Sequence, residues 1–395
     1  MKAIEVVKGI YWVGAIDWDI RTFHGHTYET RRGTTYNAYL IVDDKIALID
    51  AVYGPFYQEM LDRIKEIVDP KKIDYMVVNH IETDHSGAVP IIMELQPKAK
   101  VVCSAKGKEG LIRHYYGNWD FQVVKTGDTV KLGKRTLRFI EAPMIHWPDS
   151  MFTYIPEDSL LLPNDAFGQH LATSKRFNDE VDETIIMDEA SKYYANILWP
   201  LGAVIKKKIQ EIIDSQIKID MIAPSHGVIW RKNPLKIVEA YLNWASNETK
   251  DKVIIAYETM WGATRKMAQA ISETFMEKGI ETLIYSIPDT DRTDIIADML
   301  DAKAILIGSS THDNDMLPNT AGFLEFLKGL QPKGRIAAAF GSHGWAGGAV
   351  GGINEVLKKA GCLVVEPGLE VKYTPNEEDL ASCRRFAEGI IKKIK

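Results

Sequence analysis

His80-Ile81-Glu82-Thr83-Asp84-His85 follows the apolar run Tyr75–Asn79 and carries four ligand-type side chains within six residues. Chain leaving a strand in extended form turns residues i, i+2 and i+4 to one side, so His80, Glu82 and Asp84 are expected to point together, with His85 opening the next turn. Four ligands exceed what one metal needs from one loop; a pair of metals uses them naturally, two each. Without metal, two His and two acids packed this closely would crowd like charges at a cost. Three further candidates stand where apolar runs stop: His146 after Glu141–Ile145, Asp165 after Leu160–Asn164, and His226 after Met221–Ser225. Strand ends are where site residues collect in layered α/β folds. Taken singly, a strand-end His is more often a hydrogen-bonded structural residue, and Asn164-Asp165 is an ordinary turn pair. For the compact hexapeptide those odds reverse. Imidazole and carboxylate without thiolate suit iron, manganese or zinc.

Outward from this motif, the first half alternates short apolar strands with turns and some helix. Ala38–Val42, Ile46–Asp50, Lys100–Cys103, Thr136–Glu141, Met151–Ile155 and Leu160–Leu162 read as strands, and Tyr57–Ile67 as an amphipathic helix. The polar stretch Ser246–Asp251 marks the expected boundary between domains 1–249 and 250–395. Beyond it the pattern becomes regular. Strands at Val253–Tyr257, Thr282–Ser286, Ala304–Gly308, Ile336–Phe340 and Leu363–Pro367 alternate with helices near Thr264–Lys278, Asp291–Leu300, Thr320–Leu327, Gly351–Lys359 and Glu377–Lys392. Strict alternation of this kind describes a doubly wound parallel sheet.

Three loops at the carboxyl ends of those strands are rich in hydroxyls and glycine. Glu258-Thr259-Met260-Trp261-Gly262-Ala263-Thr264 opens a helix, whose N–H groups and dipole suit a phosphate. It lacks both the Gly-Lys-Ser/Thr of a Walker loop and a G-x-G-x-x-G turn. Ser309-Ser310-Thr311-His312-Asp313-Asn314 and Gly341-Ser342-His343-Gly344-Trp345-Ala346-Gly347 flank the switch point where a ligand binds in such sheets. Any one of these loops could be a mere turn; three at the correct strand ends point to a bound ligand, with Trp345 or Trp261 available to cover a planar ring.

Composition removes other classes. A net charge of −6 and no basic run argue against a nucleic-acid partner. No stretch approaches the roughly 18 apolar residues of a membrane span, and Glu5 and Lys8 interrupt any signal-like core at the N-terminus. Three scattered cysteines, Cys103, Cys362 and Cys383, exclude a disulfide framework, a zinc ribbon and a built-in rubredoxin; a reducing cytoplasm is the simplest setting.

H-x-E-x-D-H followed by distant His, Asp and His resembles the metallo-β-lactamase-like fold in the version used by flavodiiron proteins. Hydrolytic zinc members of that superfamily carry His where this chain has Glu82. The added carboxylate makes the site harder and favours iron, whereas zinc has no redox chemistry. The resemblance covers nearly the whole chain and implies an α/β architecture: an N-terminal αββα sandwich followed by a flavodoxin-like doubly wound parallel sheet. It implies two iron ions, one held by His80, Glu82 and His146, the other by Asp84, His85 and His226, with Asp165 between them. In some members the residue matching His85 is turned away from the metal. His24 and Tyr193 match donors near the open side of the irons. The loop at Thr259–Thr264 resembles the flavodoxin phosphate loop, with Thr259 and Thr264 on the phosphate of FMN.

The implied activity is reduction of dioxygen to water, of nitric oxide to nitrous oxide, or both. A separate rubredoxin or a reduced deazaflavin coenzyme would supply electrons, in a head-to-tail homodimer or a dimer of dimers. Two alternatives stand beside it: a zinc hydrolase with a fused flavodoxin-like module, and an electron-transfer protein whose first half is only a docking platform. The full set of seven candidate ligands speaks against the platform.

Overall fold

The computed structural model describes residues 2–395. Two compact units divide the chain: one runs up to Tyr193 and resumes over Ala203–Leu242, and the other comprises Tyr194–Gly202 with Asn243–Lys395. The break after Leu242 lies a few residues before the polar stretch at 246–251. The segment Tyr194–Gly202 carries no compositional mark, so sequence alone keeps it with its neighbours.

In the first unit a seven-stranded sheet runs in the order Ile4–Val7, Ile10–Trp12, Tyr39–Val42, Ile46–Ile49, Ile73–Val77, Lys100–Cys103, Asp120–Val123. Pairing is antiparallel as far as Ile46–Ile49 and parallel beyond it. A second sheet has the order Thr129–Lys131, Thr136–Glu141, Met151–Ile155, Leu160–Leu162, Met221–Ile222. Alternation of side chains decides which faces meet. Tyr39, Ile41, Ala47 and Ile49 pack against Leu137, Phe139, Met151, Ile155, Leu160 and Leu162 of the second sheet. The opposite face presents Leu40 and Leu48 to Met60, Leu61 and Ile64 of the helix Tyr57–Ile67, and to Val89, Ile92 and Met93 of the helix Val89–Leu95. Each fully buried side chain of this size contributes about 1.5–3 kcal/mol. The layers are those of the expected sandwich, and the loops bearing the candidate ligands all leave strand ends.

One local expectation is overturned. The chain is extended only as far as Glu82; Thr83–Ser86 forms a helical turn, so Asp84 and His85 do not continue the line of His80 and Glu82. Backbone N–H groups of His85 and Ser86 donate to the Glu82 carbonyl, and Ser86 Oγ donates to the Ile81 carbonyl at 2.6 Å. A polar side chain able to bond back to the backbone opens the helical alternative.

The second unit holds a parallel sheet in the order Glu281–Ser286, Lys250–Glu258, Ala302–His312, Ile336–His343, Leu363–Val364, the doubly wound 2-1-3-4-5 arrangement. The five helices expected around it fall at Ala263–Glu277, Arg292–Met299, Pro318–Leu330, Ala349–Lys359 and Glu377–Ile394. The fifth strand is shorter than its apolar run suggested. It stops at Val364 because Pro367 has no N–H to give and Gly368 takes φ +96°; Leu369–Lys372 then rejoins the strand Ile336–His343 in parallel. Among the described residues no helix is long and apolar enough to cross a membrane.

Candidate functional site

The turn after Glu82 sorts the seven candidate ligands into two groups. His80, Glu82, His146 and Asp165 bring ligand atoms within 4.8 Å of one another, and so do Asp84, His85 and His226. Asp165 reaches both groups. Its Oδ2 lies 3.1 Å from His146 Nε2 and 3.6 Å from His80 Nε2, while its Oδ1 lies 2.9 Å from His85 Nε2 and 3.5 Å from His226 Nε2. Glu82 Oε2 closes the first group at 3.3 Å from His146 Nε2 and 3.4 Å from His80 Nε2. Asp84 Oδ2 closes the second, 3.2 Å from His226 Nε2 and 3.3 Å from His85 Nε2.

The chemistry of these atoms fits cations. Asp84 Oδ1, Asp165 Oδ1 and both ring nitrogens of His85 are buried without a hydrogen-bond partner. Although His85 Nε2 and Asp165 Oδ1 stand 2.9 Å apart, their geometry is not that of a hydrogen bond. Around His85 the lone pairs thus converge on a common point rather than on each other's protons, as a metal site requires. The electrostatics agree. Burial disfavours the charged form of every group here, yet Asp165 and Asp84 outweigh it at His85, whose pKa is pushed up to about 9. His80 and His146 also rise against burial, through Asp149 and Glu82 for the former and Asp165 and Glu82 for the latter. Burial would raise Glu82 and Asp165, but their hydrogen bonds and charges from the surrounding imidazoles hold both far below the usual carboxylate range. The pocket is therefore built to accept positive charge.

A second layer fixes the imidazoles. Buried Asp149 accepts from His80 Nδ1 at 3.0 Å and from the Ile81 N–H at 2.8 Å, so Nε2 of His80 faces the site with its lone pair. His226 Nδ1 donates to the Thr35 carbonyl at 2.6 Å, with the same result. Asp50, in the left-handed region at φ +53°, accepts from the N–H of Asn79 at 2.7 Å and from the side chains of Asn79 and Asn164 at 3.1 and 3.4 Å. One carboxylate thus braces the residues immediately before His80 and Asp165. Burial pushes Asp50 up to about 6, against the pull of His85 and of those donors.

His24 sits on the hairpin of Thr22–Phe23 and Tyr28–Glu29, at φ +47°, with Nε2 3.3 Å from Glu82 Oε1. Tyr193 ends the helix Glu183–Tyr193, its buried ring 6.1 Å from that of His226. Burial, then Asp165, pushes its phenol well above 10, so it keeps its proton. His170, which the sequence reading did not single out, is wholly buried with its ring 4.8 Å from His226 and 5.1 Å from Tyr193. Burial, then the neighbouring His226, pushes it well below 6.5.

In the second unit, Thr264 is fully buried and its hydroxyl lies 3.0 Å from Ser310 Oγ and 2.9 Å from Ser342 Oγ, joining the three loops. Thr259 Oγ1 accepts from the Gly262 N–H at 3.1 Å, and Gly262 at φ +87° leads into the helix Ala263–Glu277 without a side-chain cap on its free N–H groups. Ser309 turns inward, accepting from the Leu317 N–H, and so braces its loop. Thr311 Oγ1 accepts from the Ala349 N–H at 3.4 Å. A Cβ on Gly348 would lie 2.0 Å from the Asn314 carbonyl, so the loops carrying His312–Asn314 and His343–Gly347 meet at that glycine. Trp261 and Trp345 are 93% and 90% exposed, leaving both indole faces free of protein. Met260, which precedes Trp261, is half-exposed.

The family model described as ODP family beta lactamase matches residues 34–227, and the flavodoxin model matches residues 255–386. A protein of Moorella thermoacetica named nitric oxide reductase is 53% identical over 395 residues, covering 100% of this chain and 99% of that one. The solved rubredoxin oxygen:oxidoreductase of Desulfovibrio gigas superposes with a TM-score of 0.97 at 37% identity, over 100% of this chain and 98% of that one. The flavodiiron protein of Giardia intestinalis does so with a TM-score of 0.95 at 36% identity, over 100% and 97%. The chain belongs to the flavodiiron protein family.

As a flavodiiron protein it brings all seven acidic and imidazole candidates of the first unit into one pocket, with His24 and Tyr193 at its edge. Sequence reading missed the supports: Asp149, Asp50 with Asn79 and Asn164, the Thr35 carbonyl, and His170. Asp149 follows Trp147-Pro148 and reads as a turn residue, and His170 reads as a lone loop histidine. Only the spacing of His170, five residues after Asp165, hints at its place.

Proposed function

We propose that this chain reduces dioxygen to water, nitric oxide to nitrous oxide, or both, at a diiron centre supplied with electrons by FMN. The observation that carries the reading is the pair of donor groups sharing Asp165, with the Glu82 carboxylate where the hydrolytic pattern has an imidazole. The names of the Moorella and Desulfovibrio relatives support it and favour it over the zinc hydrolase. His80, Glu82 and His146 would hold one iron, Asp84, His85 and His226 the other, with Asp165 between. Thr259, the N–H groups opening the helix Ala263–Glu277, and the hydroxyls of Ser310 and Ser342 would receive the FMN phosphate. Trp261 and Trp345, bare of protein contacts, would lie along its ring.

Iron and FMN bound there would supply four electrons, enough with four protons to take dioxygen to two waters; two electrons and two protons would take two nitric oxide molecules to nitrous oxide and water. The residues of the chain supply orientation and protons. Asp149 and the Thr35 carbonyl fix the tautomers of His80 and His226. Glu82 and Asp165 lower the positive charge of the centre. Tyr193 holds a proton through the working pH range, and His24, bonded to Glu82 at the pocket edge, holds another donor at its imidazole. We further propose a rubredoxin as electron donor, following the name of the Desulfovibrio relative, with a reduced deazaflavin coenzyme as the other candidate. A head-to-tail homodimer, or a dimer of dimers, in the cytoplasm completes the reading.

The test is gas consumption by anaerobically reduced, iron- and FMN-loaded protein, followed with oxygen and nitric oxide electrodes in turn. Consumption of either gas, with two irons per chain, supports the proposal. Loaded protein that consumes neither, or a preparation carrying two zincs and hydrolysing a thioester or lactam, overturns it.

A further inference from the structure

A carbonyl has no proton to give, so His226 Nδ1 is the donor to the Thr35 carbonyl at 2.6 Å. Thr34 Oγ1 lies 3.3 Å from the same nitrogen and can only accept there. The hydroxyl proton of Thr34 must then go elsewhere. His170 Nδ1 stands 2.8 Å away, whereas the Thr35 carbonyl is 3.4 Å away, so the proton goes to His170. His170 is thereby an acceptor at Nδ1 and carries its own proton on Nε2. That second nitrogen is buried without a partner, which destabilises the fold unless the residue brings a compensating gain.

Packing alone does not explain why a histidine occupies this place. Its neighbours are the rings of Phe23 at 4.6 Å, Tyr28 at 4.9 Å, Tyr193 at 5.1 Å and His226 at 4.8 Å, an aromatic cage that phenylalanine would fill without an orphaned donor. The imidazole offers what phenylalanine lacks: an acceptor that turns the oxygen end of the Thr34 hydroxyl toward the His226 N–H. We infer that His170 is a positioning residue which, through Thr34, orients His226 and raises the donor strength of its Nε2 toward the metal shared by Asp84 and His85. This rests on the metal-site reading proposed above. Without the His170 acceptor, the Thr34 hydroxyl is free to rotate, and its dipole no longer supports the His226 N–H.

Cobalt(II) titration of the metal-free full-length protein tests the relay, because the visible d–d bands of cobalt report the imidazole field independently of turnover. His170→Phe keeps the aromatic shape and removes the acceptor; His170→Asn places an amide oxygen near the former Nδ1. In His170→Phe one of the two cobalt ions should bind about tenfold more weakly, with shifted bands, as for loss of other outer partners of a ligating histidine. His170→Asn should restore both affinity and bands. Thr34→Val and Thr34→Ser probe the same relay from its other end, with loss and rescue expected in that order, should the phenylalanine variant not fold. Wild-type bands and affinity in His170→Phe and Thr34→Val, or equal loss in the paired rescue variants, would overturn the inference. Failure of the unsubstituted protein to bind two cobalt ions would instead overturn the metal-site reading, and the relay with it.

Discussion

Asp149→Asn isolates one charge behind His80, one of the residues proposed to hold the first iron. The carboxylate is 3% exposed, and its Oδ2 receives both the His80 ring N–H at 3.0 Å and the Ile81 N–H at 2.8 Å. Its Oδ1 is buried with no partner. An asparagine can therefore leave its amide oxygen in the Oδ2 position and its nitrogen in the Oδ1 position, keeping volume and both hydrogen bonds while removing the charge. Hydrogen bonds to a charged acceptor contribute about 1.5–3 kcal/mol and neutral ones about 0.5–1.5, so the substitution weakens the hold on His80 by about 1–1.5 kcal/mol. That converts to about a tenfold loss of affinity. Only the ion proposed to sit among His80, Glu82 and His146 should feel it. Release of ferrous iron from reduced protein to a chromogenic chelator, followed in time, reads the two ions separately. We expect one of the two irons to leave about tenfold faster than in the wild type, and the other at the wild-type rate. Equal release of both ions in the variant and the wild type, or equal acceleration of both, would refute this account of how Asp149 acts.

Asp50 has its pKa raised to about 6, against 3.8 for an ordinary aspartate. A raised acid stabilises the fold while protonated, so its contribution is complete below about pH 4 and is lost as pH rises through 6, by about 3 kcal/mol. Urea unfolding of metal-free protein across pH 4–7 should show that decline relative to Asp50→Asn; a constant difference between the two would exclude it. Gly348→Ala places a methyl 2.0 Å from the Asn314 carbonyl and should push the loops that meet there apart, weakening FMN by about 1–3 kcal/mol, or roughly five- to 150-fold, in a flavin-fluorescence titration. Wild-type FMN affinity there would mean these loops do not hold the flavin. Glu82→His restores the imidazole of the hydrolytic pattern and should shift the ratio of bound zinc to iron upward by about tenfold, about 1.4 kcal/mol, in metal analysis of protein loaded from equal mixtures. An unchanged ratio would remove the argument from Glu82 to iron.

Much of this was legible because period and punctuation carry it. Strands such as Thr136–Glu141, Met151–Ile155 and Leu160–Leu162 appear at the expected residues, since short apolar runs bounded by turn formers leave little freedom. The parallel sheet of the second unit was equally plain from its alternation with helices. The cluster of candidate ligands was legible because the chemistry of His80 to His85 has few other uses. What escaped depends on contacts distant in sequence. Asp149 acts on His80 across 69 residues, and Thr34 meets His170 across 136. The helical turn at Thr83–Ser86 escaped because six residues contain too little period to separate helix from extended chain. Ser309 and Ser310, adjacent and chemically alike, differ only in which way each faces, and no local pattern distinguishes them.

The segment Tyr194–Gly202 belongs with the second compact unit, although the chain then returns to the first over Ala203–Leu242 before rejoining the second at Asn243. Asn196 donates its amide to the Thr293 carbonyl at 3.0 Å, the Trp199 indole lies 5.7 Å from the Arg335 guanidinium, and the Tyr194 and Trp244 rings are 5.2 Å apart. Modularity in this protein is therefore not a single cut in the gene. A flavodoxin-like fragment beginning at Asn243 would leave the Thr293 carbonyl without its donor and the Arg335 cation without its indole. Exchange of that module with a relative would have to carry two separate stretches of chain, and residues 194–202 and 243–395 are expected to vary together in any recombinant that retains its stability.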